Sequence, residues 1–256
     1  ALKSVLHSPG TPLSSRKLYI FMKIKTLFRS LTKFEISLWL SSVAVIILCS
    51  ALGGVEPIST AASLIGVTSL IFIAKGNVVG QILTVVFSVF YGIISFGFRY
   101  YGEMITYLCM TAPMAVLAVF TWLKHPSDAG AHEVEAAKLT KTRAVIMIVF
   151  TVIVTGAFWS ILGWLGAANL VVSTVSVATS FIASYLTWCR SPYYAIAYAA
   201  NDIVLIILWT YAAMSDISCL AMTGCFAAFL ANDIYGFISW NRRMAAQESA
   251  RAARSV

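Results

Sequence analysis

Charge is what this chain has least of. Only 11% of its 256 residues are Asp, Glu, Lys or Arg, against 60% hydrophobic residues and a mean hydropathy of +0.86. A water-soluble protein of this size cannot hide that much apolar surface. Histidine is scarcer still: His7, His125 and His132 all lie outside the apolar runs. No catalytic set appears, no GxSxG elbow and no phosphate-cradling glycine loop, which argues against an enzyme and against direct use of ATP. The five cysteines (Cys49, Cys109, Cys189, Cys219, Cys225) are scattered and odd in number. They fit no metal or disulfide spacing, so free packed thiols and no metal or cofactor are expected. Alternating segments of about ten residues are missing, which excludes a membrane β-barrel. No short apolar core precedes a small-residue cleavage site, so a cleavable signal is not expected. No Lys or Arg falls in the middle of an apolar run, and an anionic ligand would want one.

What the chain does have is apolar blocks near the length that crosses a bilayer as a helix, roughly 20 residues. They fall at about 36–54, 58–74, 77–98, 100–122, 144–165, 168–187, 193–213 and 217–240. Backbone groups in lipid must pair within their own segment, so these are helices. The expected organisation is a basic segment at 1–33, an extra transmembrane helix in 34–56, and a first three-helix bundle in 57–123. A loop at 124–143, a linker helix in 144–166, a second bundle in 167–241 and a tail at 242–256 complete it. With both termini in the cytoplasm, every one of the 18 Lys and Arg residues except Arg99 falls inside, as the positive-inside rule prefers. The net charge of +8 is thereby explained by topology, and a nucleic-acid partner is not expected. The basic N-terminal stretch suits either an amphipathic surface helix or a basic tail.

The third and fourth blocks can be laid on the seventh and eighth without a gap, at an offset that matches Tyr91 with Trp209 and Trp122 with Trp240. An odd number of linking spans gives the two bundles the same orientation. That is a parallel repeat with its axis along the membrane normal, and its substrate site is expected between the bundles.

Asn-Asp-Ile occurs twice in apolar surroundings, at Asn201–Ile203 and Asn232–Ile234. A polar pair in a span either braces a neighbouring helix, at about a kcal/mol, or marks a pathway. Matched depth favours convergence on one cavity, and Asp202 and Asp233 are the deep carboxylates. Glu35, Glu103 and Asp216 lie at span ends and are expected at the interface. Gln81, Thr84, Ser88 and Ser95 form a stripe beside Tyr91. Ser173, Ser176, Ser180, Ser184 and Thr187 form another, whose first reading is close packing. Tyr194 shares a face with Asn201, and Tyr198 and Trp209 share the next with Asp202. Trp122, Trp188 and Trp240 are first read as interface anchors. Carboxylates, amides and rings suit a neutral or cationic ligand with a flat ring.

Three stretches, "YGEM" at Tyr101–Met104, "APMAVLAVFTW" closing the fourth block, and "NDIYGFISWNRR", together with the polar-aromatic seventh block, resemble the bacterial PnuC family over roughly residues 35–243. The resemblance implies import of nicotinamide riboside by facilitated diffusion, with intracellular phosphorylation preventing return. It also implies a fold like the SWEET sugar transporters, a homotrimer, and the bacterial inner membrane. Relatives carrying thiamine or riboflavin supply the alternative substrates, and a non-catalytic membrane subunit is the remote alternative. The implied substrate-binding set is Gln81, Thr84, Tyr91, Tyr194, Tyr198, Asn201, Asp202, Trp209, Asn232 and Tyr235. Tyrosines stand at 194 and 198 where the family leads one to expect tryptophan, and either Asn201 or Asp202 takes the family's Asn position.

Overall fold

The structure is a computed structural model that describes residues 27–54, 57–127, 133–167 and 169–254. The basic stretch up to residue 26 lies outside the described residues, so its reading as a surface helix is not addressed. The chain divides into two compact units, Ala1–Leu40 and Ser41–Val256.

Eight described helices are long and apolar enough to cross a membrane. They are α1 (Lys33–Gly53), α2 (Pro57–Ala74), α3 (Val78–Gly97), α4 (Tyr101–Lys124), α5 (Lys141–Trp164), α6 (Leu170–Trp188), α7 (Tyr194–Ala213) and α8 (Leu220–Arg254). Among the described residues there is no strand, only isolated antiparallel bridges of Asn77 with Glu133 and of Pro126 with Val134. The protein is thus an all-α multi-pass membrane protein of an extra helix, two three-helix bundles and a linker helix.

In the first unit, Thr32 and Glu35 open α1 with a reciprocal capping box. The Thr32 amide donates to Glu35 Oε2 at 2.6 Å, and the Glu35 amide to Thr32 Oγ1 at 3.2 Å. Glu35 is buried by this role, not displayed at an interface as its span-end position suggested.

In the second unit, six helices close a ring in the order α2, α3, α4, α6, α7, α8 and back to α2. A two-fold along the ring axis exchanges α2 with α6, α3 with α7 and α4 with α8. The observed neighbours respect it, because the α2–α8 contact maps onto the α4–α6 contact. Helix α5 lies outside the ring against α6 and leaves most of its side chains exposed, Leu162 excepted. Helix α1 touches α8 closely at Gly224, where an added Cβ would meet Cys49 Sγ at 2.5 Å.

Corresponding turns of the two bundles are built alike. Helix α2 ends in a Schellman motif, with Gly76 at φ +67° and the Asn77 amide donating to the Phe72 carbonyl at 2.8 Å. Helix α6 ends the same way, with Arg190 at φ +61° and the Ser191 amide on the Leu186 carbonyl at 3.0 Å. Helix α4 is not uniform. Pro113 has no N–H to offer the preceding turn, and just before it the chain widens into a π-helical turn over Thr106–Thr111. The Ala112 amide there reaches back to the Tyr107 carbonyl. Helix α8 runs on past the apolar block as a continuous helix to Arg254.

Candidate functional site

A residue can touch its own repeat mate only on the repeat axis. Two such contacts occur. Trp209 Nε1 donates to the Tyr91 hydroxyl at 2.8 Å, across a sequence separation of 118. Trp122 and Trp240, related by the same offset, bring their ring centroids to 5.4 Å. Both pairs are buried. Trp122 and Trp240 therefore plug the centre of the ring rather than anchor it at an interface, which corrects their first reading. Trp188 is 37% exposed.

Around the first plug, Tyr107 packs on Tyr91 with centroids 4.2 Å apart, and Phe226 lies 5.5 Å from Tyr91. Tyr100 and Phe98 close on Trp209 at 5.1 and 5.5 Å. At the other plug, Trp122 Nε1 donates to the Thr187 carbonyl of α6 at 3.2 Å, and Trp240 Nε1 to the Ile73 carbonyl of α2 at 2.8 Å. Each tryptophan thus ties its own bundle to the other. Tyr194 stacks edge-on to Trp240 at 5.1 Å, with Tyr198 next along the helix.

The segment 133–137 crosses this second end as a strap. The Val134 amide donates to the Gly76 carbonyl and the Ala137 amide to the Arg190 carbonyl, each at 2.9 Å. These carbonyls are the corresponding left-handed positions of the two bundles. Arg243 pairs with Glu133 and also donates to the Lys75 carbonyl, while Arg251 pairs with Glu135. Arg190 lies 3.9 Å from Glu135. Burial pulls its guanidinium below its ordinary pKa, with Glu135 opposing. An open groove of about 480 Å³ beside the strap is lined by Arg190, Lys138, Gln247 and Arg251, among others.

Between the plugs lie Asp202 of α7 and Asp233 of α8. Their side chains are in contact, and both are buried. Asp202 Oδ2 finds no donor. Tyr198, Asp202 and Trp209 share one face of α7 at helical spacing, and Phe226, Phe229, Asp233 and Trp240 share one of α8. Tyr107 and Tyr198 both lie within electrostatic reach of Asp202. On α3, Gln81 and Ser88 share a face about 60–80° round the helix from Tyr91. Gln81 is buried with no acceptor for its Nε2.

The two Asn-Asp pairs are therefore split. The carboxyl groups meet, while the amides turn outward to neighbours. Asn201 Oδ1 accepts from Ser176, Thr179 and Ser180 of α6 at 3.3, 2.8 and 3.0 Å. Asn232 Nδ2 donates to Ser42 of α1 at 2.9 Å and to the Ala228 carbonyl at 2.8 Å. The serine stripe of α6 holds α7 in place, and Ser184 extends it to the Tyr198 hydroxyl at 3.1 Å. Thr84 is engaged with Gly80 and Ser69. Tyr235 stands about 200° round α8 from Asp233, off the axial face. Glu103, expected at an interface, is buried at the start of α4 facing Ser176. Asp216 is exposed, as its span-end position implied. Tyr107, which sequence reasoning missed, owes its place to the π-turn.

The description of the matching family model is "Nicotinamide mononucleotide transporter", and the match covers residues 56–242. A nicotinamide riboside transporter PnuC from Neisseria mucosa is 25% identical over 189 residues, 72% of each chain. One from Haemophilus influenzae is 22% identical over 178 residues, 69% of this chain and 76% of that one. The crystal structure of a vitamin B3 transporter PnuC superposes with a TM-score of 0.76 at 24% identity, covering 86% of this chain and 96% of that one. At that identity it is the fold that is shared.

Proposed function

The chain belongs to the nicotinamide mononucleotide transporter family, and we propose that its cargo is nicotinamide riboside, carried by facilitated diffusion and trapped by phosphorylation inside the cell. The observation that carries this reading is the axial site. Two buried carboxyl groups lie between the plugs within electrostatic reach of Tyr107 and Tyr198, and the buried Gln81 amide has no acceptor, with no basic residue in the middle of any described apolar span. The riboside offers a cationic pyridinium for rings and carboxyls, and a carboxamide for Gln81. The family description names the mononucleotide, whereas the curated relatives are named for the riboside. Those two ligands differ by a phosphate, which wants a cation that the axial face lacks. Calorimetry should give the riboside at least about tenfold tighter than the mononucleotide, or about 1.4 kcal/mol, and tighter than thiamine. Equal affinity for riboside and mononucleotide would overturn the argument.

The proposed setting is a bacterial cytoplasmic membrane, as a homotrimer, with both termini and the strapped end inside. All 18 Lys and Arg but Arg99 then lie on the cytoplasmic side. A reporter fused after Val256 should be cytoplasmic and one after Asp216 external. The reverse result would sink this orientation.

A further inference from the structure

Resting on the riboside reading, we propose that Asp202 and Asp233 form a charge filter, which selects a ring because it is cationic and not merely because it is flat. Three observations converge. The two carboxyl groups come from the neighbouring helices α7 and α8 and interact with each other between the plugs. Both are at least nine-tenths buried, and among the described residues no Lys, Arg or His pairs with either. Independently, the buried Gln81 Nε2 of α3 is without an acceptor. It is a donor held ready for a group the protein itself does not supply.

A buried carboxyl pair without a counter-charge is costly, and proteins normally neutralise such groups with a partner. Here the partner is the passenger. A pyridinium between Tyr107 and Tyr198 brings a positive charge against the pair, and its carboxamide oxygen supplies the acceptor that Gln81 lacks. A neutral ring of the same outline satisfies the rings and Gln81, but leaves the carboxyls as they were. The filter therefore separates two forms of one molecule. The oxidised riboside carries a cationic ring, and its 1,4-dihydro form carries a neutral ring with the same carboxamide and ribose.

The test is calorimetry on the intact purified protein with both forms, repeated on Asp202→Asn and Asp233→Asn. The oxidised riboside is expected to bind about thirtyfold tighter than the dihydro form, in the range of a desolvated cation–π contact reinforced by carboxylates. Each Asn variant should cut that ratio to about threefold or less. Affinity for the dihydro form should stay within about threefold of wild type, which also reports that the variant is folded. Equal binding of both forms by the wild type overturns the filter while leaving the riboside reading intact. So does a ratio that survives both substitutions. If neither form binds the wild type, the riboside reading falls and takes the filter with it. Should one Asn variant fail to fold, the ratio in the other decides.

Discussion

At the Tyr91–Trp209 end of the axis, the two bundles share the indole-to-phenol bond at 2.8 Å and a longer one from the Tyr100 hydroxyl to the Leu208 carbonyl at 3.4 Å. At the Trp122–Trp240 end they share two indole-to-carbonyl bonds, a Ser239-to-Ala74 bond at 2.8 Å, and a strap bonded to both bundles and to the extended tail of α8. A pair of repeat mates stands at each end, yet the strap crosses only one of them. Regions with few polar ties open locally at lower cost. The bare end is therefore expected to part first, and the strapped end only when the strap lets the bundles move beneath it.

The largest effect expected is at the strapped plug. Trp240→Ala removes a fully buried ring from a cluster that includes Trp122, Tyr194, Val134 and Ala136. It also removes the indole bond to the Ile73 carbonyl, which keeps only the Gly76 amide. Truncations of this kind cost about 3–5 kcal/mol. Thermal melts in detergent should show an early transition or loss of the folded protein. A melting temperature within a degree or two of wild type would mean that Trp240 does not hold the two bundles together.

Removing one tie at each end sharpens the comparison. Arg243→Ala breaks the contact with Glu133 and the bond to the Lys75 carbonyl, in side chains only 14% and 25% exposed. About 1–3 kcal/mol is expected. Tyr91→Phe deletes the acceptor of Trp209 at the bare end, where about 1 kcal/mol is expected. Cysteine cross-linking between the strap and the Gly76 turn should become less protected in Arg243→Ala and stay unchanged in Tyr91→Phe. If Tyr91→Phe is the one that frees the strap, the ends are coupled and the comparison fails.

The eight spans were legible because a helix in lipid must be apolar along a bilayer's depth, and that constraint writes itself into composition. The repeat was legible because Tyr91 and Trp122 find ring-bearing mates at one offset, and the structure shows why: those mates touch on the axis. Less legible was which way each polar side chain turns. Asn201 and Asp202 are neighbours in sequence, about 100° apart on a helix. Nothing in one sequence says which of them faces α6 and which faces the axis. Tyr107 was missed for another reason. The π-turn advances the register of α4 by one residue, and a count at 3.6 residues per turn does not see it. The strap was invisible as well, since its amides bond to backbone carbonyls and its Glu133 and Glu135 find arginines far away in sequence.

The smallest effect tests the bare end by pH. Asp216 is exposed in the α7–α8 turn, and its Oδ1 accepts from the Ser218 amide at 2.9 Å. The hydrogen bonds from Ser218 hold its carboxyl below the usual carboxylate value. A carboxyl depressed in the folded state adds stability above its unfolded value of about 3.9. That contribution is lost as pH falls through the still lower folded value. Asp216→Ala should therefore melt slightly earlier than wild type at pH 7, and the gap should close as both are taken below about pH 4. Salt should shrink the gap only a little, because the acceptor caps a turn rather than joining an ion pair. A gap that is absent at pH 7, or that widens on acidification, would show that the turn at the bare end is held without its carboxylate.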